Sequence, residues 1–136
     1  MDWKWLVSWV PGVPIAIANG ALRVYCYQRS LPDLPAHQLS AVSFTVLFGT
    51  YVWFILRWLK LSSAQDALRL GFTWLVLTVA FEFLFGHFVM GHAWATLFHD
   101  YNILAGRIWV LVLACIAAAP GILYRIQRGR RRQEPA

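Results

Sequence analysis

Four long apolar stretches constrain the fold of this chain more than any other feature. Each has at least about 20 residues, the length a helix needs to cross the hydrocarbon core of a bilayer. They cover about residues 5–27, 39–61, 69–90 and 103–124. Since lipid offers no partner to an unpaired backbone amide or carbonyl, each stretch is predicted to be an α-helix. The sequence thus predicts an all-α integral membrane protein with four transmembrane helices.

Composition also favours a membrane over water. Of the 136 residues, 60% are hydrophobic and 13% are charged, whereas about 25% of a soluble domain is charged. Short linkers and the absence of low-complexity segments predict a single four-helix transmembrane domain over 1–136, with a basic tail at 125–136. No basic and aromatic pattern typical of nucleic-acid binding accompanies the net charge of +6. Signal-peptide cleavage after residues 16–18 is not expected, because Pro11 and Pro14 interrupt the apolar stretch.

The connections carry their own signals. Residues 62–66 are predicted to cap the third span, and residues 32–35 to form a turn. Apolar residues at helical spacing within 91–101 predict a short interfacial helix between the third and fourth spans. Kinks are expected in the first and fourth spans at Pro11, Pro14 and Pro120.

Basic residues predict the orientation of the spans. Arg23, Arg29 and Arg107 would face one side of the membrane, and the other nine basic residues would share a side with the chain termini. By the positive-inside rule both termini are predicted to be cytoplasmic. Tryptophans near span ends fit the aromatic belts of a membrane interface, and these are Trp3, Trp5, Trp9, Trp53 and Trp58.

Polar residues inside the spans are the candidates for function, because a charged group near the bilayer centre costs at least ~2.5 kcal/mol. At 1.5 Å per residue, Asn19 and Glu82 would lie about 12 Å below the outer ends of their spans. Arg23, His87 and Arg107 would lie about 4–6 Å deep. The sequence therefore predicts a polar cluster in the outer leaflet, built by the first, third and fourth helices.

Small residues predict how these helices pack. Lines of glycine and alanine at helical spacing would let the first, third and fourth helices approach one another closely. Such lines include Gly12, Ala16 and Gly20; Gly71 and Gly86; and Ala114, Ala118 and Gly121. Along them, Glu82 is predicted to face Arg23 or Arg107.

Two interpretations of the cluster stay open. Arg23 and Arg107 would suit a phosphate or carboxylate, since the guanidinium is planar, permanently charged and bidentate. Alternatively, a buried ion pair would only fix the register of the helices. Asp100 and Asn102 would cap the fourth span, or Asp100 would pair with Arg107. The candidate ligand-binding residues are Asn19, Arg23, Glu82, His87, Asp100, Asn102 and Arg107.

No metal or other cofactor is predicted. His87 and His92 are five residues apart, whereas two ligands on one helix face need a spacing of four. No histidine is expected deep in the first, second or fourth span to ligate haem. No catalytic constellation is recognised either, so an enzyme is the less favoured class; an enzyme acting on lipid would use Glu82 or His87 as acid or base.

Several motifs resemble an uncharacterised family of small four-span bacterial membrane proteins. They are Phe81-Glu82-Phe83-Leu84-Phe85-Gly86-His87, Trp94, Asp100-Tyr101-Asn102, Gly106-Arg107, Ala18-Asn19-Gly20, Arg23 and Ala36-His37-Gln38-Leu39-Ser40. The resemblance covers nearly the whole chain. It implies a location in the bacterial cytoplasmic (inner) membrane and implies no activity.

The functional expectation follows from the cluster. The chain is expected to bind or transport a small anion or an anionic lipid headgroup, in contact with membrane lipids. Since four helices can hardly enclose a wide pathway, a transporter or channel would be a homo-oligomer. The alternative is an accessory or structural subunit of a larger membrane complex.

Overall fold

The computed structural model describes the backbone of residues 3–133 and the side chains of residues 3–131. The rest of the predicted basic tail, 134–136, lies outside the described residues. Within the described part the chain is helical and contains no strand. Its long apolar helices are span 1 (Trp3–Ser30), span 2 (Asp33–Leu59), span 3 (Ala64–Val89) and span 4 (Trp109–Arg131). The prediction of an all-α protein with four membrane-spanning helices is confirmed.

Spans 1 and 3 contain irregular turns. Span 1 consists of helices Trp3–Trp9, Gly12–Leu22 and Gln28–Ser30, with a π-helical turn over Arg23–Tyr27. The expected kink falls at Val10 and Pro11, which lie in a turn between the first two helices. Span 3 is an α-helix over Ala64–Leu84 that ends in a second π-helical turn, Phe85–Val89. In span 4 the helix Trp109–Gln133 continues through Pro120.

The predicted first residues of spans 2 and 4 are wrong. Span 2 begins at Asp33 and not at 39, since a proline in the first turn of a helix loses no hydrogen bond. The predicted turn over 32–35 is therefore mostly helix. Span 4 begins at Trp109 and not at 103, because Ile103–Ala105 is a 3-10 turn that ends at left-handed Gly106 (φ 80°).

Other local predictions hold. Ser63 caps span 3, because its hydroxyl accepts a hydrogen bond from the backbone N–H of Asp66 at 3.1 Å. The predicted interfacial helix is present as the shorter segment Trp94–His99. It lies in the connection 90–108, which shares one end of the bundle with the connection 31–32. We call this the distal end. The opposite end, which carries the first and last described residues, Trp3 and Gln133, together with residues 60–63, is the terminal end.

Spans 2, 3 and 4 pack into one apolar core. Span 3 approaches span 4 so closely that a Cβ on Gly71 would lie 2.0 Å from the carbonyl oxygen of Ala117. Spans 3 and 4 thus approach closely at Gly71, as predicted, but the contact is with Ala117 and not with the predicted line of Ala114, Ala118 and Gly121. The core consists of Ala41, Phe44, Phe48, Val52, Leu56, Leu70, Trp74, Val112, Leu113 and Ile116.

Span 1 packs differently from the prediction. Its helix Gly12–Leu22 packs mainly on span 2 and makes few contacts, if any, with spans 3 and 4. Contact with span 3 is made by the first helix, Trp3–Trp9, where the Trp9 indole N–H donates to the Thr78 hydroxyl at 3.1 Å. Beyond the break at Pro11, spans 1 and 3 separate towards the distal end.

Candidate functional site

A cavity of about 300 Å³ lies between spans 1 and 3 in the distal half of the bundle. Trp9, Phe48 and Ile116 line its deep part. Most other lining residues are apolar or aromatic, and a few polar side chains converge among them, which is the usual composition of a ligand site. The polar lining residues are Asn19, Arg23, His37, Ser40, Thr78, Glu82, His92, Asp100 and Tyr101.

Asn19 joins span 1 to span 2 at the cavity wall. Its Nδ2 donates to the backbone oxygen of Ser40 at 2.9 Å and to the Ser40 hydroxyl at 2.8 Å. Its Oδ1 accepts from the Ser43 hydroxyl at 2.7 Å. The side chain is 6% exposed and both of its donor hydrogens are used. Asn19 therefore fixes the register of span 1 and has little capacity left for a ligand.

Arg23 lies one helical turn beyond Asn19 and contacts His37 of span 2. The Arg23 Nη1 lies 3.2 Å from the His37 Nδ1. Since arginine has donors only, Nδ1 must accept, and a neutral ring then carries its proton on Nε2. His37 is 3% exposed. Two N–H groups, Arg23 Nε and His37 Nε2, are buried without a hydrogen-bond partner among the described residues.

Glu82 faces the cavity from span 3, but it pairs with neither arginine. The Tyr101 hydroxyl donates to the Glu82 carboxyl group at 2.5 Å. Burial, followed by the hydrogen bond to Glu82, raises the pKa of Tyr101 above its ordinary value, so the phenol keeps its proton. Within residues 3–131 no ion pair forms at Glu82 or at Arg23. The predicted ion pair of Glu82 with Arg23 or Arg107 is therefore wrong.

Arg107 lies outside the cavity lining, and two carboxylates neutralise it. Its guanidinium contacts Asp33 at 2.7 Å and Asp100 at 3.4 Å, so the predicted pairing of Asp100 with Arg107 is confirmed. The arginine side chain is 16% exposed. These two ion pairs join the start of span 2 to the 90–108 connection. Arg107 therefore differs from Arg23, which forms no ion pair among the described residues.

The remaining candidates have local structural partners. The His87 Nδ1 donates to the backbone oxygen of His92 at 2.9 Å, and the His87 ring stacks on Trp94 with 3.9 Å between centroids. Asn102 accepts from the backbone N–H of Ala105 at 3.2 Å, and so caps the 3-10 turn and not span 4. Neither His87 nor Asn102 lines the cavity.

Both walls of the cavity end in π-helical turns. One turn begins at Arg23, and the other, Phe85–Val89, follows one turn after Glu82. Single π-helical turns are rare and occur frequently at functional sites. Among the described residues, no three His, Cys, Asp or Glu side chains come together in a way that could hold a metal ion.

Sequence reasoning missed the contribution of span 2. The sequence predicts that His37 precedes that span, whereas His37 lies in the second turn of its helix. The available signal was a polar line at three-residue spacing, His37, Ser40 and Ser43. Once span 2 begins at Asp33, this line lies on one face and meets Asn19 and Arg23.

Searches among protein families, curated proteins and solved structures found no match to this chain. The family resemblance carried by the sequence motifs stays a prediction.

Proposed function

We propose that this protein binds an anionic group, a phosphate or a carboxylate, in the distal cavity through Arg23 and His37. The observation that carries the proposal is the pair of buried N–H groups, Arg23 Nε and His37 Nε2, which have no partner among the described residues. A buried donor without a partner costs about 1–3 kcal/mol, and a buried charge costs more. An anionic group whose oxygens accepted from both N–H groups would remove both costs.

The apolar lining suits an amphipathic ligand. Phe44, Phe81 and Phe85 contribute aromatic surface next to the polar groups. The lining also includes Ile17 and Met90, which are 51% and 57% exposed on the outside of the bundle. A lipid molecule could therefore place its headgroup at Arg23 while its chain leaves between spans 1 and 3. The core of spans 2, 3 and 4 blocks the terminal half, which favours binding over transport through a single copy.

The proposed location follows from the basic residues. We place the protein in the bacterial cytoplasmic membrane, with the terminal end in the cytoplasm and the cavity in the outer leaflet. Fusing alkaline phosphatase or a fluorescent protein to the C-terminus tests this orientation. A cytoplasmic C-terminus gives fluorescence and no phosphatase activity, and the opposite pattern contradicts the placement.

The binding test uses full-length protein in a mild non-ionic detergent and phosphatidylglycerol with brominated chains, because bromine near Trp9 and Trp109 of the cavity quenches their fluorescence. Substituting Arg23→Gln removes a charged hydrogen bond of about 2 kcal/mol, which weakens binding about thirtyfold. Arg29→Gln is the matched control, since Arg29 is exposed on the same span and does not line the cavity. Equal affinity in both variants would refute the site.

Two further measurements separate the alternatives. Displacement of the lipid by inorganic phosphate at a comparable concentration identifies a free anion as ligand. Displacement only at a much higher concentration identifies the lipid, because its chains then contribute to the affinity. Arg23→Met tests whether the residue only stabilises the fold. An uncompensated buried charge destabilises the empty protein, so this variant should melt at the same or a higher temperature while losing binding. A lower melting temperature with unchanged binding would assign Arg23 a structural role.

A further inference from the structure

We propose that a second pocket, at the terminal end of the bundle, binds the phosphate group of an anionic lipid. This pocket of about 400 Å³ lies between the end of span 2 and the last turns of span 4. It shares no lining residue with the distal cavity and does not depend on the function proposed there.

Four cations converge on this terminal pocket. Arg57 and Lys60 come from the end of span 2, and Arg128 and Arg131 from span 4. Among the residues whose side chains are described, no Asp or Glu lines the pocket and none of the four cations forms an ion pair. Like charges held around one cavity repel one another, and a bound anion removes that repulsion.

One hydrogen bond joins the two walls of the terminal pocket, and contacts within span 2 shape its side. The Gln127 side chain of span 4 donates to the backbone oxygen of Trp53 in span 2 at 2.7 Å. The Arg57 guanidinium lies 5.6 Å from the centroid of the Trp53 ring, within the range of a cation–π contact. Span 2 then ends at Lys60, whose left-handed backbone (φ 47°) stops the helix beside the pocket.

The apolar part of the lining favours a lipid as the source of the phosphate. Buried Leu56 and half-buried Leu61 and Tyr124 line the pocket together with the cations. The ends of spanning helices lie at the depth of the headgroups, where each basic residue strengthens binding to anionic lipid. A free phosphate would use the cations alone, whereas a lipid would also cover the leucines.

Native mass spectrometry of the full-length protein tests the proposal. The protein is released from mixed micelles, and the number of phosphatidylglycerol molecules it retains is compared with the number of phosphatidylcholine molecules. The double variant Arg57→Gln with Arg128→Gln should bind phosphatidylglycerol about twentyfold more weakly, at about fivefold for each lost charge. The matched control is Arg29→Gln with Arg125→Gln, which removes the same charge from residues outside the pocket. The control should retain the preference.

A charge-conserving pair, Arg57→Lys with Arg128→Lys, should bind within a few-fold of the original protein. Loss of lipid in this pair, equal loss in the control pair, or no loss in the glutamine pair would each overturn the proposal. Competition by soluble glycerol phosphate separates the sources of the anion. Displacement only at a much higher concentration than that of the lipid supports the lipid, because the chains then contribute to the affinity. Displacement at a comparable concentration supports the phosphate site with a free anion as its ligand.

Discussion

The two halves of this helical bundle differ in how closely their spans pack. In the terminal half, spans 3 and 4 touch backbone to backbone at Gly71 and Ala117, and Trp74 beside them is fully buried. In the distal half, spans 1 and 3 stand apart around a cavity that holds Arg23 and Glu82. Spans 3 and 4 are thus close-packed around Gly71, whereas spans 1 and 3 are separated around the polar groups of the distal cavity.

The difference has a local cause. Helices in a bilayer associate through close packing and hydrogen bonds, since lipid is as apolar as the helix surfaces. A glycine without a side chain allows such packing at Gly71. The break at Pro11 and the π-helical turn from Arg23 turn span 1 away from span 3 and towards span 2. Packing therefore stabilises one half, and hydrogen bonds define the geometry of the other.

The largest expected effect is at the close-packed contact. Substituting Gly71→Ala places a Cβ 2.0 Å from a backbone oxygen of Ala117, which cannot move aside as a side chain can. We expect a loss of about 3 kcal/mol in the free energy of unfolding. Thermal unfolding in detergent measures it, with Gly49→Ala as control, because a Cβ there meets no atom within 4 Å. Similar melting temperatures for both variants would refute the close contact.

A smaller effect is expected from the hydrogen-bonded contact in the distal half. Asn19→Ala removes three hydrogen bonds between spans 1 and 2 and leaves Ser40 and Ser43 with fewer partners. The expected loss of stability is about 2 kcal/mol. Because Arg23 follows Asn19 by one turn, anion binding should weaken as well. Ser43→Ala removes one of the three bonds and should cost about 1 kcal/mol; an equal cost would show that the Ser40 bonds contribute nothing.

The smallest effect concerns Tyr101, and its signature is a change in how stability falls at alkaline pH. The pKa of Tyr101 is raised in the folded protein, so its stabilisation is complete below the ordinary tyrosine pKa of about 10 and is lost as the pH rises above it. Tyr101→Phe should lower stability by about 1 kcal/mol at neutral pH and reduce the alkaline decrease. The control is Tyr25→Phe, since Tyr25 is exposed. An unchanged alkaline decrease in Tyr101→Phe would contradict the assignment.

Much of the candidate site could be predicted from the sequence, but its pairings could not. Polar residues stand out inside apolar helices, and three of them, Asn19, Arg23 and Glu82, do line the distal cavity. Asp100 lines it from the connection 90–108. The pairings depend on the rotation of each helix, which a six-residue error at the start of span 2 concealed. His37 was therefore overlooked, and Arg107 was matched with Glu82 although it pairs with Asp33.

The sequence by itself determined that the protein has four helices crossing a membrane, because long apolar runs in lipid have no other means of satisfying their backbone. It also determined that few polar residues occur inside those helices. Only the tertiary structure decided which of them meet, since neighbours across helices depend on breaks, turns and crossing geometry that distant residues set together. That arrangement pairs Arg107 with two carboxylates and leaves Arg23 beside His37 in a cavity.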